Sequence, residues 1–291
     1  MTKPRHSKGA LPRHSKGGLR RTWLFVAGAD PAAHRAAARS GADVIILELE
    51  DFTPPELRPK ARSLSVKALE SWRKAGAVAG VRINPLQHGG LDDLLGVLPA
   101  QPQVIMMSKV DAPEQVRALE QATGGAVELV PNIESAAGLL NIASIARASP
   151  KVSALLLASE DMVADLGTVR SRGGIELAYA RARFLLECRA AGVEAIDCPY
   201  TFSDVSGAVA DARYARRLGY RMKSLVDPSH ARPINDVFTP NKTELARARK
   251  IVVALEKARA AGKDRVKVDG ALIEVPIYAA AKRLLESAAR S

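Results

Sequence analysis

The feature that most constrains the fold is a regular alternation of short apolar runs with longer amphipathic segments. Eight runs rich in Val, Ile and Leu have the length and composition of buried β-strands, and a segment with helical spacing separates each run from the next. The predicted strands are 22–26, 43–47, 78–83, 104–107, 126–130, 152–157, 193–196 and 221–226. Eight strands that alternate strictly with helices over about 210 residues predict a (β/α)₈ TIM barrel in the α/β class.

A doubly wound open sheet is the alternative α/β architecture. Such a sheet normally uses fewer strands, and in dinucleotide-binding proteins a glycine-rich loop follows its first strand. Here the first strand leads into Gly28-Ala29-Asp30, which forms only a tight turn. Asp30 and Pro31 then provide the N-cap and first-turn signals of a helix. The sequence therefore favours the barrel.

The chain divides into three predicted parts. Residues 1–19 contain no acid and repeat Pro-Arg-His-Ser-Lys-Gly, so we expect a disordered basic tail. Residues 20–237 form the barrel. Residues 238–291 form a C-terminal extension of helices and a hairpin, with Asp269-Gly270 as its turn. The extension follows the last strand, so it is placed to cover the barrel mouth or a neighbouring subunit.

Charge and composition argue against several classes of function. The net charge is +12, but seven Lys and Arg residues lie in residues 1–21, so nucleic-acid binding is not expected of the folded body. No apolar run reaches membrane-spanning length, and no signal-peptide region is evident, so we expect a cytoplasmic protein with no membrane partner. Cys188 and Cys198 have neither metal-type spacing nor the number that a disulfide framework needs.

Two acidic residues follow consecutive predicted strands near the middle of the chain. Glu134 lies in Pro-Asn-Ile-Glu-Ser, and Asp161 lies in Ser-Glu-Asp-Met. Because the carboxyl ends of parallel strands gather functional groups at one edge, these carboxylates are candidates for a shared site. A pair of carboxylates with few other ligands nearby suits a hard cation such as Mg²⁺. Spacing alone leaves open the alternative that each carboxylate caps the helix that follows it.

Other charged residues follow neighbouring predicted strands. Arg82 stands in the third strand, where its guanidinium could hold a carboxylate through two hydrogen bonds or form an ordinary ion pair at the barrel end. Glu50 and Asp51 follow the second strand and could belong either to the site or to a surface turn. Lys109 follows the fourth strand, where it could form a Schiff base or, as we expect, pair with nearby carboxylates.

A series of short motifs occurs in a characteristic order and spacing along the chain. They include Arg21-Thr22-Trp23-Leu24-Phe25-Val26-Ala27-Gly28, Leu49-Glu50-Asp51, Val81-Arg82-Ile83-Asn84-Pro85, Lys109-Val110, Ile133-Glu134, Ser159-Glu160-Asp161, Asp165-Leu166-Gly167, Ile196-Asp197, Phe238-Thr239-Pro240 and residues 269–276. Together they resemble the HpcH/HpaI aldolase and citrate lyase superfamily, in particular its citrate lyase beta subunit-like branch.

The resemblance implies a Mg²⁺-dependent carbon–carbon lyase that acts on an acyl-CoA thioester of a hydroxy acid, of the citryl-, citramalyl- or malyl-CoA type. It also implies a homo-oligomer, with a trimer favoured. Glu134 and Asp161 would hold the metal, Arg82 and Glu134 would contact substrate, and Glu50 and Asp51 would lie near the metal's water ligands. These roles come from the resemblance and not from the spacing.

Two further residues complete the expected site. Glu274 occupies the position where the resemblance implies a catalytic Asp, which would act as acid or base from the neighbouring subunit. The charge of Arg21 makes it a candidate to contact the phosphates of CoA. Arg20 and Lys60 share that suggestion.

The sequence departs from the family pattern around the expected site. The family carries Asp where Glu48 stands, Gly where Ala158 and Cys198 stand, His where Asp227 stands, and Asp where Glu274 stands. These departures keep two other functions open. One is a CoA-independent aldolase that cleaves 4-hydroxy-2-oxo acids, and the other is a catalytically weakened barrel that acts as a subunit or scaffold.

Overall fold

The computed structural model describes residues 19–289 of the chain. Residues 1–18, which make up nearly all of the predicted basic tail, lie outside the described residues, as do 290 and 291. The fold comprises two compact units, of which the first ends at Asn235 and the second begins at Asp236. Between residues 19 and 289, no helix has the length and apolar character needed to cross a membrane.

The first unit is a closed barrel of eight parallel strands, as the sequence predicts. Each strand pairs with its neighbours in chain order, and the eighth closes on the first. The strands are β1 Thr22–Ala27, β2 Val44–Glu48, β3 Val78–Ile83, β4 Val104–Met107, β5 Glu128–Ile133, β6 Ala154–Leu157, β7 Glu194–Asp197 and β8 Met222–Leu225. The fifth strand begins two residues later and ends three residues later than predicted. Glu134 therefore follows its last residue directly.

Helices separate the strands and cover the outside of the barrel. They are α1 Pro31–Ser40, α2 Arg58–Lys74, α3 Gly90–Val97, α4 Pro113–Ala122, α5 Ala136–Leu140, α6 Ile142–Arg147, α7 Glu160–Asp165, α8 Ala178–Ala191, α9 Val205–Leu218 and α10 Ala231–Phe238. Asp30 caps α1 as predicted, because its side chain accepts from the amides of Ala32 and Ala33 at 2.7 and 3.2 Å. The segment between β5 and β6 forms two short helices, α5 and α6, that meet at Asn141.

The barrel interior is filled by side chains from alternate positions of the strands. This arrangement follows from the period of two along a strand, which sends successive side chains to opposite faces. The buried interior cluster consists of Trp23, Phe25, Val44, Ile46, Val104, Met106, Val130, Ala154, Leu156 and Ile196. The interior of the barrel is therefore a packed core with no pore through it. Polar groups can lie at its ends.

A second set of charged residues is buried on the outer side of β7 and β8. Lys223, with no exposed side-chain surface, lies 2.7 Å from Asp197 and 2.5 Å from Asp211. Arg181 of α8 pairs with the same two carboxylates, each at 2.7 Å. Two cations therefore meet two anions, so the cluster is neutral and joins two strands to the helices α8 and α9.

The second unit has its own small core. It contains α11 Lys242–Ala260, the antiparallel hairpin β9 Val266–Val268 and β10 Ala271–Ile273, and α12 Val275–Ala288. Asn241 and Glu244 form a capping box at the start of α11, with bonds of 2.8 and 2.9 Å. The hairpin turns at Asp269 and Gly270, which have φ angles of 49° and 80°, as its sequence predicts. The role expected of the C-terminal extension, as a cover for the barrel mouth or a neighbouring subunit, stays a prediction.

Candidate active site

The carboxyl ends of β2, β3, β4 and β5 bring together most of the residues singled out in the sequence. Arg82 is the second-last residue of β3, and Glu50 and Asp51 follow β2. Glu134 follows β5 directly, and Asp161 is the second residue of α7, which begins three residues after β6 ends. All five lie at the same end of the barrel because the strands are parallel.

Arg82 is buried, and its guanidinium is held on two sides. Its Nε donates to Glu48 Oε1 at 2.9 Å, and its Cζ lies 5.0 Å from the centre of the Phe25 ring. Burial by itself lowers the pKa of Arg82, but the charges of Glu48 and Glu50 raise it above its ordinary value. The group is therefore a permanent cation in a fixed orientation.

The terminal nitrogens of Arg82 face the other carboxylates. Nη2 lies 3.4 Å from Glu50 Oε2 and 3.5 Å from Asp51 Oδ2, and Nη1 lies 4.0 Å from Glu134 Oε1. These distances are longer than the bond to Glu48, so the terminal nitrogens keep donor capacity. Such an edge of a guanidinium can bind a substrate carboxylate or an oxygen on which negative charge develops.

Glu48 was not predicted as a site residue, and the structure places it at the base of the site. Its side chain is completely buried and accepts hydrogen bonds from the amides of Glu50 at 2.6 Å and Phe52 at 2.5 Å, as well as from Arg82. Burial raises the pKa of Glu48, but Arg82 and the two amides oppose this effect because they stabilise the carboxylate form. Glu48 and Arg82 therefore form an ion pair. The sequence signal was a lone acid at the end of an otherwise apolar strand.

The loop after β1 packs closely on the same strand end. Gly28 donates its amide to the Glu48 carbonyl at 3.0 Å, and the Thr53 hydroxyl donates to that carbonyl at 2.5 Å. A Cβ atom at Gly28 would lie only 2.7 Å from the Glu48 carbonyl oxygen, so a larger residue would force the two loops apart.

Lys109 contributes a second cation to the site. It adopts a left-handed backbone conformation with φ of 54°, and its ammonium contacts Glu50 Oε1. This hydrogen bond raises the pKa of Lys109 above its ordinary value, against the effect of burial. A lysine held protonated in this way is a poor nucleophile, so the structure supports the expected ion pair and not a Schiff base.

Glu134 is a buried carboxylate that has no hydrogen-bond partner. Its residue is 3% exposed, and neither of its carboxylate oxygens has a hydrogen-bond partner. Burial and then the charge of Glu50 raise the pKa of Glu134 to about 8, although Arg82 opposes them. Burial, Asp51 and Glu50 likewise raise the pKa of Asp161. The two carboxylates therefore lie where negative charge outweighs the positive charge of Arg82 and Lys109.

A divalent cation fits this environment. The site gathers the acids Glu48, Glu50, Asp51, Glu134 and Asp161 around the cations Arg82 and Lys109. Within residues 19–289, no three acidic, His or Cys side chains converge as a ready-made ligand set. That finding is compatible with Mg²⁺, which takes one or two protein carboxylates and keeps several waters. Glu134 and Asp161 have the free oxygens and the raised pKa values that such an ion would relieve.

The structure does not bring Arg21 to this site, which corrects its expected role in substrate binding. Arg21 precedes β1, and its Nε donates to Asp43, which precedes β2, at 2.8 Å. Both residues lie at the amino ends of their strands, at the end of the barrel opposite to Arg82 and Glu134. The positive charge of Arg21 suggests substrate binding, but its position at the amino end of a strand excludes it from this site.

Two other residues, His34 and Glu274, differ in how far they are buried. His34 of α1 is buried, and its ring packs edge-on against Trp72 with 5.7 Å between the centroids. Glu274 belongs to the second unit, where it is exposed at the start of α12 and its side chain makes no capping bond. Its carboxylate is therefore not used up by the helix that it precedes.

Comparison with known proteins agrees with this geometry. The chain matches the HpcH/HpaI aldolase/citrate lyase family over residues 21–228. It is 31% identical over 282 residues to a citrate lyase subunit beta from Leuconostoc mesenteroides subsp. cremoris, covering 93% of each chain. It is 32% identical over 288 residues to an L-malyl-CoA/beta-methylmalyl-CoA lyase from Rhodobacter capsulatus, covering 88% of this chain and 91% of that protein.

A solved structure shows the same architecture. The protein CitE from Mycobacterium tuberculosis, crystallised with magnesium, acetoacetate and coenzyme A, superposes with a TM-score of 0.75 and is 26% identical. The match covers 93% of this chain and 98% of that one. Both sequence relatives are lyases by name, so the predicted enzyme class is confirmed. The chain belongs to the HpcH/HpaI aldolase/citrate lyase family.

Proposed function

We propose that this lyase is Mg²⁺-dependent and cleaves a carbon–carbon bond in an acyl-CoA thioester of a hydroxy acid. The observation that carries the proposal is the buried, unpaired carboxylate of Glu134, whose pKa is raised to about 8 beside the cationic edge of Arg82. A carboxylate in this state favours a divalent cation, and a guanidinium beside it favours an anionic substrate. The names of the malyl-CoA lyase relative and the CoA-bound structure support the thioester.

Glu134 and Asp161 would hold the metal in this proposal. A bound Mg²⁺ supplies a Lewis acid for substrate oxygens and neutralises the excess negative charge of the mouth. Glu50 and Asp51 would accept hydrogen bonds from water around it. Lys109 holds Glu50 in place, since its ammonium contacts that carboxylate.

Arg82 would orient the acid and stabilise developing charge. Cleavage removes the hydroxyl proton, converts the hydroxyl-bearing carbon into a carbonyl and leaves an electron pair on the thioester fragment. That pair spreads onto the thioester carbonyl oxygen until the neighbouring carbon takes up a proton. The terminal nitrogens of Arg82 face the mouth and can donate to that oxygen or to the substrate carboxylate. Because Glu48 and Phe25 fix the guanidinium, this stabilisation needs no rearrangement during the reaction.

Glu274 would move the proton at the carbon next to the thioester carbonyl. We place it as an acid or base from the neighbouring subunit of a trimer, as the resemblance implies. Its carboxylate is exposed and makes no capping bond, so it is available for proton transfer.

Two variants and one substrate panel test the proposal. Glu134→Ala and Asp161→Ala should each abolish Mg²⁺-dependent cleavage while the circular dichroism spectrum stays that of the folded barrel. Asp165→Asn is the matched control, because Asp165 lies in the same helix α7 and caps the amide of Ala136 at 2.7 Å. Full activity in both alanine variants would contradict the metal site.

The panel consists of malyl-, citramalyl- and citryl-CoA together with 4-hydroxy-2-oxo acids. Release of a CoA product from one of the thioesters is the expected result. Cleavage of the oxo acids alone would identify the CoA-independent aldolase. Inactivity towards every compound, in a protein that still binds Mg²⁺, would favour the scaffold.

A further inference from the structure

Asn132 is a polar residue inside the barrel, directly below Glu134. It is the second-last residue of β5, and its partner across the sheet is Leu156. Val130 and Leu156 belong to the interior cluster, so alternation directs Asn132 and Glu134 to the same interior face. Asn132 has no exposed surface.

The amide of Asn132 has no protein partner at either end. Neither Nδ2 nor Oδ1 makes a hydrogen bond, whereas Ser224, another buried polar residue of the strands, donates its hydroxyl to the Asp197 carbonyl at 2.9 Å. An unpaired buried amide costs on the order of 1–3 kcal/mol. A leucine of similar size would avoid that cost, so the amide is not explained by packing.

Asn132 lies at the depth of Arg82. The strand register descends from Glu48, the last residue of β2, through Arg82 and Met106 to Val130 in the middle of β5. Strand tilt in such a barrel lowers each register partner by roughly one residue per strand, and alternate strands fill one layer. Two strands along from Arg82, the residue in its layer is therefore two positions beyond Val130, which is Asn132.

The surroundings of the amide combine one polar and one apolar side. Above it stands Glu134, whose Oε1 is 4.0 Å from Arg82 Nη1. Beside and below it are apolar interior residues, including Leu156 and Val130. A ligand group that comes from the barrel mouth to the level of Arg82 meets a hydrogen-bonding amide in otherwise apolar surroundings. A methyl group in that place would leave the amide unpaired, and an oxygen would not.

We propose that Asn132 determines specificity by donating a hydrogen bond from Nδ2 to a second carboxylate of the bound acid. The inference rests on the proposed function and adds the class of acid that the site prefers, namely one with a carboxylate beyond the group held by Arg82. Acids that carry only a methyl or hydrogen there bind less well because the amide stays unpaired.

The test compares two small 2-oxo acids that differ by one carboxylate, oxaloacetate and pyruvate. Calorimetry with saturating Mg²⁺ gives their dissociation constants for the unaltered protein and for Asn132→Leu. We expect Asn132→Leu to weaken oxaloacetate binding by about tenfold, the size of a lost hydrogen bond to a charged group, and to change pyruvate binding less than about twofold. Ser224→Ala is the control for a buried polar change whose hydrogen bond is internal, and it should leave the ratio of the two constants unchanged.

Each other outcome overturns the inference. Equal weakening of both ligands would mean that Asn132→Leu distorts the site as a whole. Unchanged binding of both would mean that the amide contacts only water. If the unaltered protein binds neither acid in the presence of Mg²⁺, the proposed function fails as well, whereas binding with an unchanged ratio in the variant contradicts only the role of Asn132.

Discussion

Arg82 is anchored to Glu48 through its Nε at 2.9 Å, and this leaves both terminal nitrogens directed at the carboxylates of the barrel mouth. Glu48 uses its other contacts to hold the amides of Glu50 and Phe52. One buried carboxylate therefore sets the orientation of the guanidinium and the path of the loop that carries Glu50 and Asp51.

The first prediction follows from that anchor. Glu48→Gln keeps the size of the side chain but removes the charge that orients Arg82. We expect kcat/KM to fall by about 10- to 100-fold, which corresponds to losing a charge-assisted hydrogen bond. Steady-state kinetics on the active thioester measure this effect. Because Glu48 acts through Arg82, we expect a clear rise in KM for the thioester and only a small drop in the temperature of thermal unfolding.

Glu48→Asp provides the matched comparison for this prediction. It restores the charge but shortens the side chain, so the guanidinium must move to keep the bond. An activity between those of Glu48→Gln and the unaltered protein is expected. Unaltered kcat/KM in Glu48→Gln would show that Arg82 does not depend on the anchor.

Much of the fold could be predicted because it depends on repeated local patterns. Apolar runs predict the eight strands, and the short polar side chain of Asp30 before Pro31 predicts the start of α1. The end of β5 was misplaced by three residues because Pro131 and Asn132 interrupt its apolar run while still belonging to the strand. Polar interior positions are hard to predict in strands that are buried on both faces.

The site was only partly predictable for the same reason. The order of parallel strands places Glu134 and Asp161 at one end without any side-chain detail. The functions inferred for Glu48 and Asn132 depend on which face of a strand each residue occupies, and a run buried on both sides does not reveal that. The charge of Arg21 suggests a contact with substrate. Its position before β1, however, places it at the end of the barrel opposite to Arg82.

A second prediction concerns the neutral cluster outside the barrel. Although burial opposes them, Lys223 and Arg181 lower the pKa of Asp211 to about 2, from 3.8 in its ordinary state. The stability gained from Asp211 is therefore present above pH 3.8 and is lost as the pH falls towards 2. By linkage this amounts to about 2 kcal/mol.

Asp211→Asn tests this linkage. It leaves two buried cations with one carboxylate, so we expect a loss of about 3 kcal/mol at pH 7. The difference in unfolding free energy from the unaltered protein should shrink between pH 4 and pH 2. Urea unfolding at several pH values measures it, with the exposed Asp92→Asn as control. A difference that does not change with pH would contradict the role of Asp211 in the cluster.

A third prediction concerns the two thiols, which are both free and completely buried. Burial, and then the charge of Asp197, raises the pKa of Cys198 to about 12, and burial raises the pKa of Cys188 well above its ordinary value. A thiol-specific reagent at pH 8 should therefore modify neither cysteine in the native protein and both in urea. Rapid modification of the native protein would show that α8 or the end of β7 opens readily.

The last prediction concerns Glu274 and the subunit that supplies it. Glu274→Gln removes the carboxylate that we propose as acid or base, so it should lower kcat by about 10²- to 10⁴-fold while thioester binding persists. Glu274→Asp should retain far more activity, since it keeps a carboxylate. Arg82→Ala should be inactive for a different reason, because it removes the guanidinium of the barrel mouth. If Glu274 acts in a neighbouring subunit, mixing the two inactive variants under conditions of subunit exchange should restore activity. Random assembly of a ring then gives roughly a quarter of the sites both an intact Arg82 and an intact Glu274. Complete inactivity of a mixture that has been shown to exchange subunits would assign Glu274 to the same chain as its barrel.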